Sequence, residues 1–169
     1  QLASLSTGWN RESWHYFFLG AAFMLLEVQN ISKAAVALGN TWIVNAVIVS
    51  GVLGMILLAN IIASRWPGVS QTAVGCCLIG ACLSLYVIDL ASFGFLPFPL
   101  KAVCIGALTT LPMLFSGIVF IQSFATCRAK NIALGANLLG SLVGAILQTI
   151  TFVVGIKALL LIVAALYVA

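Results

Sequence analysis

Charge is missing from the middle of every long segment of this chain. No Asp, Glu, Lys or Arg lies between Glu12 and Glu27, between Lys33 and Arg65, between Lys101 and Arg128, or between Lys130 and Lys157. Asp89 alone interrupts the interval from Arg65 to Lys101. A water-soluble domain carries about 25% charged residues, whereas this one has 6%, with 63% hydrophobic. Hydrocarbon is therefore the solvent these intervals predict. Inside a bilayer every backbone N–H and C=O must be paired within the protein, which restricts spanning structure to helices and closed barrels. The apolar runs lack the two-residue alternation of barrel strands, so the expected fold class is all-α, a polytopic membrane helical bundle.

A spanning helix needs roughly 20 apolar residues, so 169 residues allow about six crossings with short loops and leave no room for a separate soluble domain. Turn signals divide the chain into helices over about 13–38, 41–64, 70–90, 100–126, 132–154 and 156–169. Ser13 is a helix-start residue, Gly39 and Asn40 make the first turn, and Arg65, Trp66, Pro67 and Gly68 close the second helix. Pro97 and Pro99 keep helix out of the loop before the fourth, and Pro112 falls inside it. The first apolar run has no small-residue cleavage site, so it reads as a retained membrane helix rather than a signal peptide. The chain begins at Gln1 without an initiator Met and ends at Ala169 within an apolar run, the pattern expected of a piece of a longer protein.

Basic residues sort into Arg11, Arg65, Arg128 and Lys130 on one side and Lys33, Lys101 and Lys157 on the other. The positive-inside rule then places the N-terminus in the cytoplasm. These charges stand singly, so no nucleic-acid surface is expected. The five cysteines show no zinc or iron–sulfur spacing and read as small packing residues. No metal or cofactor is expected from the sequence.

Glu27 is the residue that asks most for an explanation. Fourteen residues beyond Ser13, at 1.5 Å each, it lies about 20 Å into the membrane. An acidic side chain near a helix centre costs about 2.5–3.5 kcal/mol on insertion scales, so it should face protein or water. Asn30, three residues on, and Asn45 on the second helix complete a candidate intramembrane polar site. Two readings stay open: a proton or ligand site, or a polar clamp between the first two helices. Lys33 is expected to snorkel to the far interface. Asn137 and Gln148 read as interhelical hydrogen-bonding residues.

Helix packing in lipid favours small residues four apart. Ala136, Gly140 and Gly144 form such a stripe on the fifth helix, and Cys76, Gly80 and Ser84 form one on the third, which makes these two helices candidates for the centre of the bundle. Trp14, His15, Tyr16 and Trp66 read as interfacial anchors. His15 is the only histidine, which excludes a bis-histidine haem held by this chain alone. No nucleotide-binding loop, nucleophile with its base, or carboxylate pair is visible, so no residue is assigned a catalytic role.

Two stretches resemble a known family. Residues 14–60, WHYFFLGAAFMLLEVQNISKAAVALGNTWIVNAVIVSGVLGMILLAN, are similar to the bacterial integral-membrane proteins that carry a spermidine-synthase-like (polyamine aminopropyltransferase-like) domain beside several membrane helices. Residues 133–169, with FSGIVFIQSF before them, resemble the end of the same membrane region. The matching residues are Leu25, Leu26, Glu27, Thr41, Trp42 and Asn45, and the run Gly135 to Gly140. Gln148 departs from the pattern where many relatives carry glutamate. The resemblance implies an attached Rossmann-like aminopropyltransferase or methyltransferase-like domain, whose glycine-rich cofactor motif is absent from these residues. The leading expectation is thus a membrane domain that anchors or assembles in the bacterial inner membrane, with the lipid bilayer, an attached cytoplasmic domain or other membrane subunits as partners. The alternative is a secondary transporter with Glu27 as coupling carboxylate, and the third is a subunit that binds lipid, quinone or pigment.

Overall fold

The computed structural model describes residues 10–39, 42–66 and 68–168, the last without the side chains of 152, 154, 156–158 and 168. Thr41, part of the family signature, and the side chain of Lys157 lie outside the described residues. The chain is all-helical, with no strand among the described residues: α1 Arg11–Leu38, α2 Trp42–Arg65, α3 Gln71–Val87, α4 Phe98–Thr126, α5 Lys130–Leu147, α6 Thr151–Val154 and α7 Ile156–Val168. A 3-10 turn at Gln148–Ile150 joins α5 to α6. Gly39 and Gly155 adopt φ of 91° and 84°, a region that costs a side-chain-bearing residue energy, and each ends a helix so that the chain can reverse.

Four helices are long and apolar enough to cross a membrane: Arg11–Leu38, Trp42–Arg65, Phe98–Thr126 and Lys130–Ile150. The protein is therefore built as a membrane-embedded bundle. The 17 residues of α3 reach only about 26 Å at 1.5 Å each, short of the roughly 30 Å hydrocarbon core. Its helix was expected to continue to residue 90 but ends at Val87, because Ile88 and Asp89 are extended. Asp89 then caps a 3-10 turn over Leu90–Phe95 by accepting the Ala91 N–H at 3.1 Å. A short polar side chain offers the backbone this alternative to helix.

The centre of the bundle is α1, which touches α2, α4, α5 and α7. Its tightest neighbour is α5. A Cβ built on Gly140 would overlap the Phe17 carbonyl, one on Gly20 would overlap the Asn137 carbonyl, and one on Gly144 would sit 2.5 Å from the Ala21 oxygen. The two backbones run parallel and are in direct contact. Ser141 Oγ donates to the Gly20 carbonyl and Asn137 Nδ2 to the Tyr16 carbonyl, both at 3.3 Å. Small residues permit that approach, and dispersion over the resulting contact replaces the hydrophobic effect that lipid withholds.

The corresponding stripe on α3 does something else. Cys76, Gly80 and Ser84 are exposed, and nothing lies within 4 Å of a Cβ built on Gly80. The buried face of α3 is Val74, Leu78, Cys82 and Leu85, which packs on α4 and α7. The expectation of α3 at the bundle centre is corrected: larger side chains fill the space between α3, α4 and α7, and the small residues are left outside. Cys76 and Cys77 are likewise exposed rather than packed.

Along α2, Val44, Ile48, Val52 and Ala59 are buried and face α4 in parallel. There Gly51 meets the Thr110 side chain, Gly106 meets Val47 and Gly117 meets Ala59. Pro112 is buried within a continuous α4. Thr109 and Thr110 donate to carbonyls one turn back, at 2.7 Å to Ile105 and 2.7 Å to Gly106. These hydroxyls supply hydrogen bonding in the turn before the proline, which has no N–H of its own to give. Returning along α1, α7 buries Leu159, Leu160 and Val163, and the Tyr167 hydroxyl hydrogen-bonds Ser116 of α4.

Candidate functional site

Two groups of polar side chains sit where lipid or core would otherwise be, one in the second half of α1 and one at its start. In the second half, Gln29 and Asn30 are 1% and 0% exposed. The amide nitrogen and oxygen of both have no hydrogen-bond partner among the described residues. Four unpaired amide atoms in an apolar interior are costly, roughly 1–3 kcal/mol for each unsatisfied group. Burial follows from position: at 100° per residue, Gln29 lies in line with Leu25, and Asn30 with Leu26 and Ala34, all of which are core residues.

Lys33, one turn further, is buried and donates from Nζ to the carbonyl of Leu85. It was expected to snorkel outward. The reason it does not lies in α3, whose early end at Val87 leaves the Leu85 carbonyl without a helical donor. A cation at a helix C-terminus satisfies that orphan acceptor and complements the helix dipole.

Glu27 is half-buried on α1. Asn45, expected beside it, is exposed on α2, and no hydrogen bond joins it to Glu27 or Asn30 among the described residues. Its neighbour Val44 takes the inward position, which turns Asn45 about 100° away. The three residues proposed as one polar site are therefore not brought together: Asn30 faces the core, Asn45 faces outward, and Gln29 and Lys33 take the interior places that Glu27 and Asn45 were to share.

At the other end, the starts of α1 and α3 meet the end of α4. Tyr16 is buried, and its hydroxyl donates to the Ser123 carbonyl at 2.7 Å. Ser123 Oγ stands 3.3 Å from His15 Nε2 and accepts from Gln71 Nε2 at 3.1 Å. Gln122 Nε2 ties the same end to the α2–α3 connection by donating to the Val69 carbonyl at 2.9 Å. Tyr16 is thus a core residue, closed in by Phe120 and Phe124, rather than the interfacial anchor expected from its neighbours. Trp14 and Trp66 remain exposed, and His15 is a half-covered member of the Ser123 cluster.

No family model, curated protein or solved structure matches this chain.

Above the Ser123 cluster opens a cleft of about 610 Å³ lined by Arg11, Glu12, Trp14, His15, Gln71 and Thr126, among others. A second opening of about 540 Å³, mostly apolar, lies between α1, α2, α4 and α5, with Asn60, Ser116 and Asn137 as its polar points. Both volumes fall within the usual span of ligand sites, about 300–1,000 Å³. The residues joining into the first cleft come from three stretches of sequence, at the starts of α1 and α3 and the end of α4, so no local pattern points to it. The polar run Gln122, Ser123 and Thr126 at the end of an otherwise apolar helix is the signal that was open to reading. Among the described residues no group of three or more His, Cys, Asp or Glu is placed to hold a metal ion.

Proposed function

We propose that this chain is an integral membrane domain that anchors or assembles, as the membrane part of a spermidine-synthase-like protein or as a subunit of a larger inner-membrane complex. The observation that carries this reading is the outward face of α3. Thr72, Cys76, Gly80 and Ser84 stand four residues apart, all exposed, with open space over Gly80. In lipid such a face gains nothing from hydrocarbon, whereas it admits the backbone of another helix closely. The helix Gln71–Val87 is also short for a lone span, which a neighbouring helix would compensate. The family resemblance in α1, α2 and α5 supports the same reading. Arg11, Arg65, Arg128 and Lys130 all lie at the end where α1 begins, and on the positive-inside rule that end, with the N-terminus, faces the cytoplasm.

Oxidative cross-linking in native membranes tests the proposal, because Cys76 is already on the face. A Cys76-dependent cross-linked species, abolished by Cys76→Ser and lost with Gly80→Leu, is expected. A chain that stays uncross-linked and runs as a monomer of 17.7 kDa after mild extraction would overturn it.

A secondary-transport reading is favoured by one observation, the unpaired amides of Gln29 and Asn30 beside buried Lys33. Intramembrane polar groups of this kind mark solute and proton paths. In that reading Glu27 is the coupling carboxylate. Glu27→Gln should abolish pH-dependent uptake into reconstituted vesicles without unfolding the protein, and unchanged uptake would remove the idea.

A further inference from the structure

The cleft at the start of α1 combines features not used by either reading above. Its walls carry one cation, Arg11, and one anion, Glu12, and neither is held in an ion pair or hydrogen bond among the described residues. Its floor is neutral and hydrogen-bonding. Ser123, nearly buried, is fixed from two sides by His15 and Gln71, while Thr126 donates to the Ser123 carbonyl at 2.9 Å. One side is aromatic: Trp14 stacks on Phe18 with centroids 5.7 Å apart and meets Phe17 edge-on at 5.6 Å. Trp14 is 48% exposed, so this aromatic wall continues onto the outside of the bundle, where lipid tails lie.

Opposite charges a residue apart, a neutral polar floor and an apolar exit are complementary to one kind of molecule. We infer that the cleft seats the zwitterionic phosphate–ammonium headgroup of a phospholipid, with phosphate against Arg11, ammonium against Glu12, and acyl chains leaving over Trp14 and Phe18. An arginine suits phosphate because its planar fork of donors matches the oxygen geometry. Glu12 distinguishes this headgroup from an anionic one: beside a carboxylate, a lipid with phosphate and no ammonium meets repulsion that the zwitterion converts into attraction. The aromatic pair is of the type that sits at headgroup level in membrane proteins. The free zwitterion, O-phosphoethanolamine, offers the same charges but nothing to the aromatic wall.

Native mass spectrometry of the intact chain released from nanodiscs tests the assignment, with phosphatidylethanolamine, phosphatidylglycerol and free O-phosphoethanolamine as probes. The expected result is one phosphatidylethanolamine retained per chain, about tenfold over phosphatidylglycerol. Arg11→Ala should lower that retention about tenfold, the size of one charge-assisted contact, and Glu12→Gln should erase the preference between the two lipids. Both residues are exposed, so neither variant disturbs the core. Equal retention of the two lipids by the unaltered chain, or retention unaffected by Arg11→Ala, would overturn the assignment. Binding of O-phosphoethanolamine as tight as that of the lipid would also overturn it, in favour of a soluble zwitterion.

Discussion

The ammonium of Lys33, near the end of α1, donates to the carbonyl oxygen of Leu85 in the last turn of α3. The two helices run parallel, so this bond ties their far ends together while the Ser123 cluster ties their near ends. Lys33→Ala should therefore loosen α3 at one end only. A hydrogen bond to a charged group contributes about 1.5–3 kcal/mol, of which a membrane protein keeps the lower part because its unfolded state also finds partners. A fall in thermal stability of the detergent-solubilised protein by about 1–2 kcal/mol is expected, with earlier hydrogen exchange in α3. Unchanged exchange there would show that the bond is not used.

Gly140 and Gly80 are both small residues on apolar helices, yet they should respond in opposite ways to alanine. At Gly140 the added methyl meets the Phe17 carbonyl, and overpacking of that kind costs about 1–3 kcal/mol or more. At Gly80 it meets nothing, and alanine gains up to ~1 kcal/mol of helix propensity. Melting curves of the two variants, run side by side in one detergent, decide the matter. A loss of stability at Gly80 in the dispersed monomer would contradict the placement of α3.

Gln29→Leu and Asn30→Leu are expected to stabilise. Each removes two unpaired buried atoms and puts an apolar side chain of similar size among Leu25, Leu26 and Ala34, a gain on the order of 1–3 kcal/mol. Denaturation midpoints measure this directly. If the amides serve a transported solute, the same variants should lose uptake while gaining stability, a combination that a merely structural role does not produce.

Tyr16→Phe removes only the hydroxyl that donates to the Ser123 carbonyl at 2.7 Å. Ser123→Ala leaves that bond intact and removes the contacts to His15 and Gln71. Each should cost about 1 kcal/mol. Only Ser123→Ala should change the local environment of His15, visible in its ring NMR shifts; a His15 spectrum indifferent to Ser123→Ala would rule out the cluster.

The fold class was legible because charge-free intervals admit one solvent and that solvent admits few backbones. Which way each side chain points was not. Val44 and Asn45 are neighbours on a helix that is apolar nearly all round, so nothing local fixes its rotation, and the one that faces α4 is known only from the packing. The inward course of Lys33 is illegible for a related reason: its partner is a carbonyl freed by the end of another helix. The two small-residue stripes read identically, and one became an interior contact while the other faces out, because the choice rests on what the opposing helix offers. Phe17 and Gly140 decide it for α5, and no pattern within α5 could.

Backbone lying directly on backbone at Phe17, Gly20, Gly140 and Gly144 leaves no side-chain layer between α1 and α5 to slide or repack. The pair must travel as one rigid beam. Any opening of this bundle has to be made by the other helices, α2, α3, α4 or α7, moving against that beam, and probes of motion belong on those helices.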